Sequence, residues 1–325
     1  MQTRRTLLAA PLIAVPALLL ASCASGSAGA SADDDAFTVV ASTSVYASLA
    51  EAVAGDAASV EAIIDSGSQD PHEYEATARD QLALDGADLV IMNGGGYDAF
   101  MEDLLEASGS DAEVLTVAEL SDAYPAEAEE EHSEEEHDHA EEEHSEDEHI
   151  EGFNEHVWYD PHTIEHFVAE LEEHLAADLP EDAEAIAANA DAVRADLEAL
   201  EGRIAEVQDA HAGATVFFTE PIGGYLAAEA GLEDVTTEGF AEAVEEGQDV
   251  APATLLAALT AIEDGDVDVL VVNAQTGGSE TDQLIQAAGD AGVPVVEFAE
   301  TLPEGSTYVE WMTDNVDALD AALAG

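Results

Sequence analysis

A few polar side chains stand directly after apolar runs, where a β-strand would end. His72 follows one such run in "SQDPHEY", and Glu220 follows another in "FFTEPIGGY". Asn273 and Glu300 come after two later runs, while His156 lies among apolar and aromatic neighbours in "FNEHVWYDP". Open α/β sheets place their ligands at the carboxyl ends of their strands. Two imidazoles with one or two carboxylates are a suitable ligand set for a borderline divalent metal ion.

Each of these residues also has an ordinary structural role that the sequence leaves open. His72 could cap the helix that follows, His156 could be a hydrogen-bonded core histidine, and the two glutamates could be surface acids. A zinc hydrolase with Glu220 as general base is the enzymatic alternative. The chain argues against it, because "HTIEH" at 162–166 lacks the second-position glutamate of HExxH and no nucleophile elbow or phosphate loop is recognisable.

A second candidate for metal binding is the acidic loop at residues 127–152. It contains 15 carboxylates and five histidines, with no lysine or arginine. Like charges with few apolar side chains cannot offset the entropy of ordering, so we expect a mobile, solvated segment. Its imidazoles could bind divalent cations weakly, although a simple acidic spacer is the alternative. The histidines are His132, His137, His139, His144 and His149.

The composition limits the partners of the protein. The chain has 325 residues, which suggests two domains, and its five arginines face 75 acidic residues for a formal net charge of -70. Nucleic acid is excluded as a partner, because phosphate binding requires a basic surface. This acidity indicates either adaptation to high salt or a field that concentrates cations, and composition does not separate the two.

The N-terminus is typical of an exported lipoprotein. Arg4 and Arg5 precede a short apolar run that ends in "LASC", which predicts a signal peptide at 1–22. Cys23 would then carry the lipid, followed by a flexible tether at 23–35. The paired arginines leave both the Sec and the twin-arginine export routes open. We expect an extracytoplasmic protein anchored to the outer face of the cell membrane, without an internal disulfide.

After the tether, short β-rich runs alternate with helical patterns. "FTVVAST", "SVEAII" and "ADLVIM" predict strands, with helices at about 46–54 and 77–86 between them. The pattern indicates an N-terminal lobe at 36–179, in which helices cover a parallel sheet. Apolar residues at helical spacing over 180–210, interrupted only by Gly202, predict a helix of about 45 Å. Residues 211–325 repeat the alternation and predict a C-terminal α/β lobe.

Several motifs occur in an order that resembles one protein family over nearly the whole chain. They are "SQDPHEYEATARDQLAL", "GADLVIMNGGGYD", the His-rich acidic loop, "NEHVWYDP", the long helix, "TEPIGGYLAAEAGL" and "VNAQTGG". In this order they resemble the cluster A-I substrate-binding proteins of zinc and manganese ABC transporters. The resemblance implies two (β/α) lobes bridged by a rigid helix, with the metal in the cleft between them. It also implies a monomer that delivers its ion to a membrane permease powered by a separate ATPase.

The resemblance further implies a set of metal ligands. His72 of the DPH motif and His156 of the xHxW motif match two of the family's ligands. Glu220 matches the third, which is often histidine in zinc-type members and glutamate in manganese-type members, and Glu300 matches an acidic fourth ligand that is more usually aspartate. The loop at 127–152 resembles the zinc-collecting loop of zinc-type members. We therefore expect Zn²⁺ as the transported ion, with Mn²⁺ or a role as a surface adhesin or metal buffer as alternatives.

Overall fold

A computed structural model describes residues 36–67, 69–72, 74–125, 150 and 152–325. The predicted signal peptide (1–22) and the tether (23–35) with its lipidated Cys23 lie outside the described residues. Of the acidic loop at 127–152, the structure describes only residues 150 and 152. The loop histidines His132, His137, His139, His144 and His149 are therefore also outside the described residues.

Four parallel strands form the sheet of the N-terminal lobe. They are β1 (Phe37–Thr43), β2 (Ala58–Ile64), β3 (Leu89–Met92) and β4 (Glu113–Thr116), in the order β2-β1-β3-β4. Helices α1 (Ser44–Ala54), α2 (Ala78–Asp85) and α3 (Phe100–Ser108) follow the first three strands. Every residue of β3 is buried, because both faces of this parallel sheet are covered.

The sequence patterns do not predict α3 or β4. β4 lies at the edge of the sheet and buries only Leu115, so it lacks the apolar run that marks an internal strand. The predicted helix at 77–86 is confirmed as α2, with Thr77 at the N-cap. Thr77 and Asp80 form a capping box, which satisfies backbone N–H groups of the first turn.

Two helices connect the lobes. α4 (Pro161–Asp178) begins at a proline, and Asp160 caps its first turn. The long helix α5 (Ala183–His211) has 29 residues and a length of about 43 Å. It starts three residues after the predicted Pro180 and continues through Gly202, which is exposed and costs about 1 kcal/mol relative to alanine without ending the helix.

The C-terminal lobe repeats the parallel arrangement. Its strands are β5 (Thr215–Phe218), β6 (Glu233–Asp234), β7 (Val269–Asn273) and β8 (Val295–Phe298), in the order β6-β5-β7-β8. Its helices are α6 (Gly224–Glu229), α7 (Ala241–Glu245), α8 (Pro252–Asp264), α9 (Ser279–Ala291) and α10 (Tyr308–Leu323). The predicted α/β fold of two parallel-sheet lobes joined by a long helix is confirmed.

One hydrophobic core joins the long helix to both lobes. The buried side chains of α5 recur every three or four residues, at Ile186, Ala190, Val193, Leu197, Leu200, Ile204 and Val207. They belong to the same cluster as Val39 of β1 and Val271 of β7. Residues Ala36–Gly325 consequently form one compact unit, and the lobe boundaries at 179 and 211 remain predictions. Within the described part of the chain, no helix has the length and apolarity needed to span a membrane.

Candidate metal centre

His72 lies in the turn between β2 and α2 of the N-terminal lobe. Asp70 Oδ1 accepts a hydrogen bond from the backbone N of His72 at 3.0 Å, which holds the turn in place. The half-buried imidazole meets the ring of Tyr97 edge-on, with 5.0 Å between the ring centroids. Thr77 caps α2, so His72 does not have the capping role that the sequence left open.

His156 is fully buried and directly precedes a short 3₁₀ turn, Val157–Tyr159. Asn154 Oδ1 accepts a hydrogen bond from the backbone N of His156 at 3.0 Å and lies 2.9 Å from its ring Nδ1. When Nδ1 donates to this oxygen, Nε2 is the nitrogen left for a metal, as in most metal-binding imidazoles. Trp158 packs against the same ring, with 5.1 Å between centroids, and fixes its plane.

The strand order of the C-terminal sheet brings three of the predicted residues together. β5, β7 and β8 are neighbours, and Glu220, Asn273 and Glu300 lie at or just beyond their carboxyl ends. Asn273 Nδ2 donates to Glu220 Oε2 and to Glu300 Oε1, each at 2.7 Å. The hydroxyl of Thr276 donates to Glu220 Oε1, and the Glu300 backbone N donates to the side-chain oxygen of Gln275. These bonds position two buried carboxylates side by side.

The site lies where the two lobes meet. Gln275 of the C-terminal lobe donates from Nε2 to the backbone O of Gln69 at 2.9 Å. Asn154 of the N-terminal lobe donates from Nδ2 to the backbone O of Pro221 at 2.9 Å, and Tyr225 donates its hydroxyl to the Asn154 backbone O at 2.6 Å. Hydrogen bonds between the lobes thus surround the histidines and carboxylates.

Three of the four predicted ligands form one cluster. A ligand atom from each of His72, His156 and Glu300 lies within 4.8 Å of the other two. His156 Nε2 is 3.4 Å from Glu300 Oε1. This spacing is suitable for one metal ion bound by all three side chains.

Two further acids lie in the site, and Glu220 lies at its margin. His72 forms a second set with Glu155 and Glu245, again with ligand atoms within 4.8 Å of one another. Glu220 belongs to neither of these sets within the described chain, and its oxygens accept hydrogen bonds from Asn273 and Thr276. The role of Glu220 as a ligand stays a prediction.

The surroundings of the two histidines shift their pKa values in opposite directions. Burial alone would lower the pKa of His156, but the charges of Glu300, Glu245 and Glu155 and a hydrogen bond to Glu300 outweigh burial and raise this pKa to about 10. Burial would raise the pKa of Glu300, yet the charge of His156 outweighs it and the pKa is lowered. The pKa of His72 is lowered, chiefly by burial. At neutral pH these shifts favour a neutral His72 and a proton on His156 beside the Glu300 carboxylate.

Sequence patterns missed Glu155 and Glu245. Glu155 directly precedes His156 in the motif "FNEHVWYDP", so its proximity to the site could have been inferred. Glu245 lies in the acidic run "AEAVEEG", where no spacing distinguishes it from its neighbours. Only the position of α7 in the C-terminal lobe brings it to His156, with 3.6 Å between Glu245 Oε1 and His156 Nε2.

Two parallel-sheet lobes on a shared long helix, with buried imidazoles and carboxylates between them, define a two-lobed ligand-binding protein. The chain belongs to the family described as "Zinc-uptake complex component A periplasmic", which matches residues 39–322. Proteins of this family are substrate-binding components of metal transporters and not enzymes, which excludes the zinc hydrolase alternative. The resemblance seen in the sequence is confirmed for the family.

Relatives of the chain are named for two different metals. The manganese-binding lipoprotein MntA of Halalkalibacterium halodurans is 26% identical over 323 residues, which cover 96% of this chain and 97% of that protein. The high-affinity zinc uptake system protein ZnuA of Bacillus subtilis is 27% identical over 320 residues, which cover 96% of each chain. These names do not decide which metal the chain binds.

Solved structures show the same fold. The periplasmic zinc-binding protein TroA from Treponema pallidum superposes with a TM-score of 0.69 and 21% sequence identity, over 88% of this chain and 98% of that one. At this level of identity the likeness supports the two-lobed fold alone.

Proposed function

We propose that this protein is an extracytoplasmic receptor that captures Zn²⁺ and delivers it to the membrane permease of an ABC transporter, which a separate ATPase drives. The observation that carries the proposal is the cluster of His72, His156 and Glu300, whose ligand atoms lie within 4.8 Å of one another. Imidazole and carboxylate ligands in a site of low coordination number suit Zn²⁺. Glu220, which shares Asn273 with Glu300, is the proposed additional acid of this site.

The division of ligands between the lobes supports release as well as capture. His72 and His156 come from the N-terminal lobe, whereas Glu300 follows β8 of the C-terminal lobe. A small separation of the lobes would take the carboxylate away from the imidazoles and break the ligand set. The hydrogen bonds between Gln275 and Gln69 and between Tyr225 and Asn154 would break in the same movement. Lobe opening at a permease would in this way free the ion.

Mn²⁺ is the second candidate, and the acids of the site favour it. Glu155, Glu220 and Glu300 are buried, and oxygen ligands suit Mn²⁺ better than imidazoles do. Most nitrogen and oxygen sites nevertheless bind Zn²⁺ more tightly than Mn²⁺, so a higher zinc affinity in vitro does not identify the transported ion. We propose zinc because five histidines in the loop at 127–152 add imidazole ligands that Zn²⁺ prefers.

We also propose that Cys23 carries a lipid that holds the protein at the outer face of the cell membrane, where it acts as a monomer. The lipoprotein names of the relatives support this location. A surface adhesin or a metal buffer would need the same site but no permease. A permease gene beside the gene for this chain would distinguish transport from those two functions.

The metal content of protein purified without added metal tests the proposal. Weak metal sites lose their ions to a weak chelator during purification, whereas a tight site keeps its ion. We expect one zinc per chain in the wild-type protein and none in His156→Ala. His162→Ala is the matched control, because His162 is an exposed histidine on α4. Manganese in place of zinc would support Mn²⁺ as the transported ion. A full equivalent of metal in His156→Ala would show that the proposed residues do not form the metal site.

A further inference from the structure

Glu245 is the last residue of α7, and its side chain points into the metal site. The side chain is only 7% exposed, and its Oε1 lies 3.6 Å from His156 Nε2. One of its oxygens also lies within 4.8 Å of a nitrogen of His72 and an oxygen of Glu155. The carboxylate of Glu245 therefore lies beside His156 and also forms a ligand set with His72 and Glu155.

Glu300 faces the same two imidazoles, with its Oε1 3.4 Å from His156 Nε2. The C-terminal lobe thus offers two carboxylates to one pair of histidines, one from α7 and one from the end of β8. The second oxygen of this buried carboxylate, Glu300 Oε2, has no hydrogen-bond partner among the residues that the structure describes. Buried polar atoms are normally satisfied, so this oxygen indicates a ligand between the side chains.

We propose that Glu245 is a ligand of the transported ion, which it binds together with His72, His156 and Glu300. This inference rests on the proposed function, because it concerns the same ion in the same cleft. A second carboxylate adds an oxygen donor to two nitrogen donors, and oxygen donors favour Mn²⁺ relative to Zn²⁺. Glu245 therefore helps to determine how strongly the site prefers one ion over the other.

The test compares two isosteric substitutions on α7. Glu245→Gln removes the carboxylate from the site, and Glu242→Gln removes the same charge from an exposed position on the same helix. Zn²⁺ and Mn²⁺ affinities are measured by competition with a chelator strong enough to keep weak loop sites empty. The visible spectrum of the Co²⁺-loaded protein reports the number and type of ligands. Glu245→Ala is a second variant, in case a glutamine side chain can still coordinate through its oxygen.

We expect Glu245→Gln and Glu245→Ala to lower Mn²⁺ affinity by more than about 100-fold, beyond the range typical of residues that only support a ligand. Zn²⁺ affinity should fall less, so the preference for zinc should increase, and the Co²⁺ spectrum should change. Glu242→Gln should match the wild-type protein in all three measurements.

An unchanged Co²⁺ spectrum in both Glu245 variants would overturn the inference, whether or not affinity declines, because a ligand cannot be lost without altering the spectrum. His156→Ala separates this result from failure of the proposed function. If His156→Ala loses tight binding while the Glu245 variants keep theirs, only the role of Glu245 is wrong. If His156→Ala keeps tight binding, the proposed site itself is wrong.

Discussion

His156 Nε2 lies 3.4 Å from Glu300 Oε1, and both side chains are completely buried. Burial would lower the pKa of His156, but the neighbouring acids outweigh burial and raise this pKa to about 10. The pKa of Glu300 is lowered. In the ion-free protein a proton on His156 neutralises Glu300, in the place where a metal ion would otherwise do so. An ion that binds here through His156 would therefore have to displace this proton.

We predict that binding of one ion near pH 7 releases about one proton. Below pH 10 His156 carries a proton that the ion must displace, whereas the lowered pKa of His72 leaves that ring neutral. Affinity should thus rise as pH increases, by up to about tenfold per pH unit, and level off near pH 10. Calorimetry in two buffers with different ionisation enthalpies measures the proton count. Absence of proton release would mean that His156 is not a ligand.

His72→Ala should abolish tight metal binding, because it removes an imidazole common to both ligand sets. The fold should persist, since His72 lies in a turn and is only half-buried. His174→Ala is the control, as His174 interacts with Glu113 and Glu170 outside the site. Titration with Zn²⁺ in the presence of a competing chelator checks the prediction, and tight one-to-one binding by His72→Ala would contradict it.

Asn273→Ala should destabilise the ion-free protein by about 3 kcal/mol, because it leaves two buried carboxylates without a shared donor. Asn189→Ala, which removes a single bond to the backbone O of Val53, should cost about 1 kcal/mol. Denaturant unfolding measures both free energies. Metal should restore part of the loss only in Asn273→Ala, where the freed carboxylates can bind the ion. Equal losses of unfolding free energy in the two variants would show that the hydrogen bonds from Asn273 to Glu220 and Glu300 stabilise the protein no more than a single hydrogen bond does.

Gly223→Ala should lower both stability and metal affinity. Gly223 has φ +78°, and a Cβ there would overlap the ring of Phe298, two residues before Glu300. The combined backbone strain and steric clash should cost about 3 kcal/mol. Gly239→Ala separates the two effects, because Gly239 has φ +73° with open space around it and should cost only about 1 kcal/mol. Thermal unfolding and metal titration give both quantities, and an unaffected metal affinity in Gly223→Ala would rule out displacement of Glu300.

Deletion of residues 127–149 should leave the single tight site intact, because the proposed ligands His72, His156 and Glu300 lie outside this segment. Weaker, rapidly exchanging sites formed by the loop histidines should disappear. The acidic neighbours should also speed capture at low ionic strength, an effect that falls off over a Debye length of about 10 Å at 0.1 M salt. Calorimetry on the full and deleted forms measures stoichiometry, and rapid mixing at two salt concentrations measures the capture rate. Identical stoichiometry in the full and deleted forms would show that the loop is a solvated spacer that binds no metal.

The sequence by itself determined the architecture and indicated the residues that meet in the candidate site. Strands and helices are local, and their apolar periodicity is written in consecutive residues, which is why the βαβ alternation and the long helix could be predicted. His72 follows a proline, Glu300 follows an apolar run and His156 lies in the motif "NEHVWYDP", so position and the family resemblance together indicated these three residues. A short edge strand such as β4 buries only one side chain, so its sequence lacks the apolar periodicity that predicts a strand.

Only the tertiary structure decided how the acids are arranged around the histidines. Glu220 has the expected place after β5, yet Asn273 and Thr276 hold its oxygens by hydrogen bonds. Glu245 has no sequence signal, yet packing of α7 brings it 3.6 Å from His156 Nε2. Such contacts join residues far apart in the chain, and they depend on how whole elements pack across the cleft. Local residue patterns do not encode that packing, because it results from the summed burial of both lobes against the long helix.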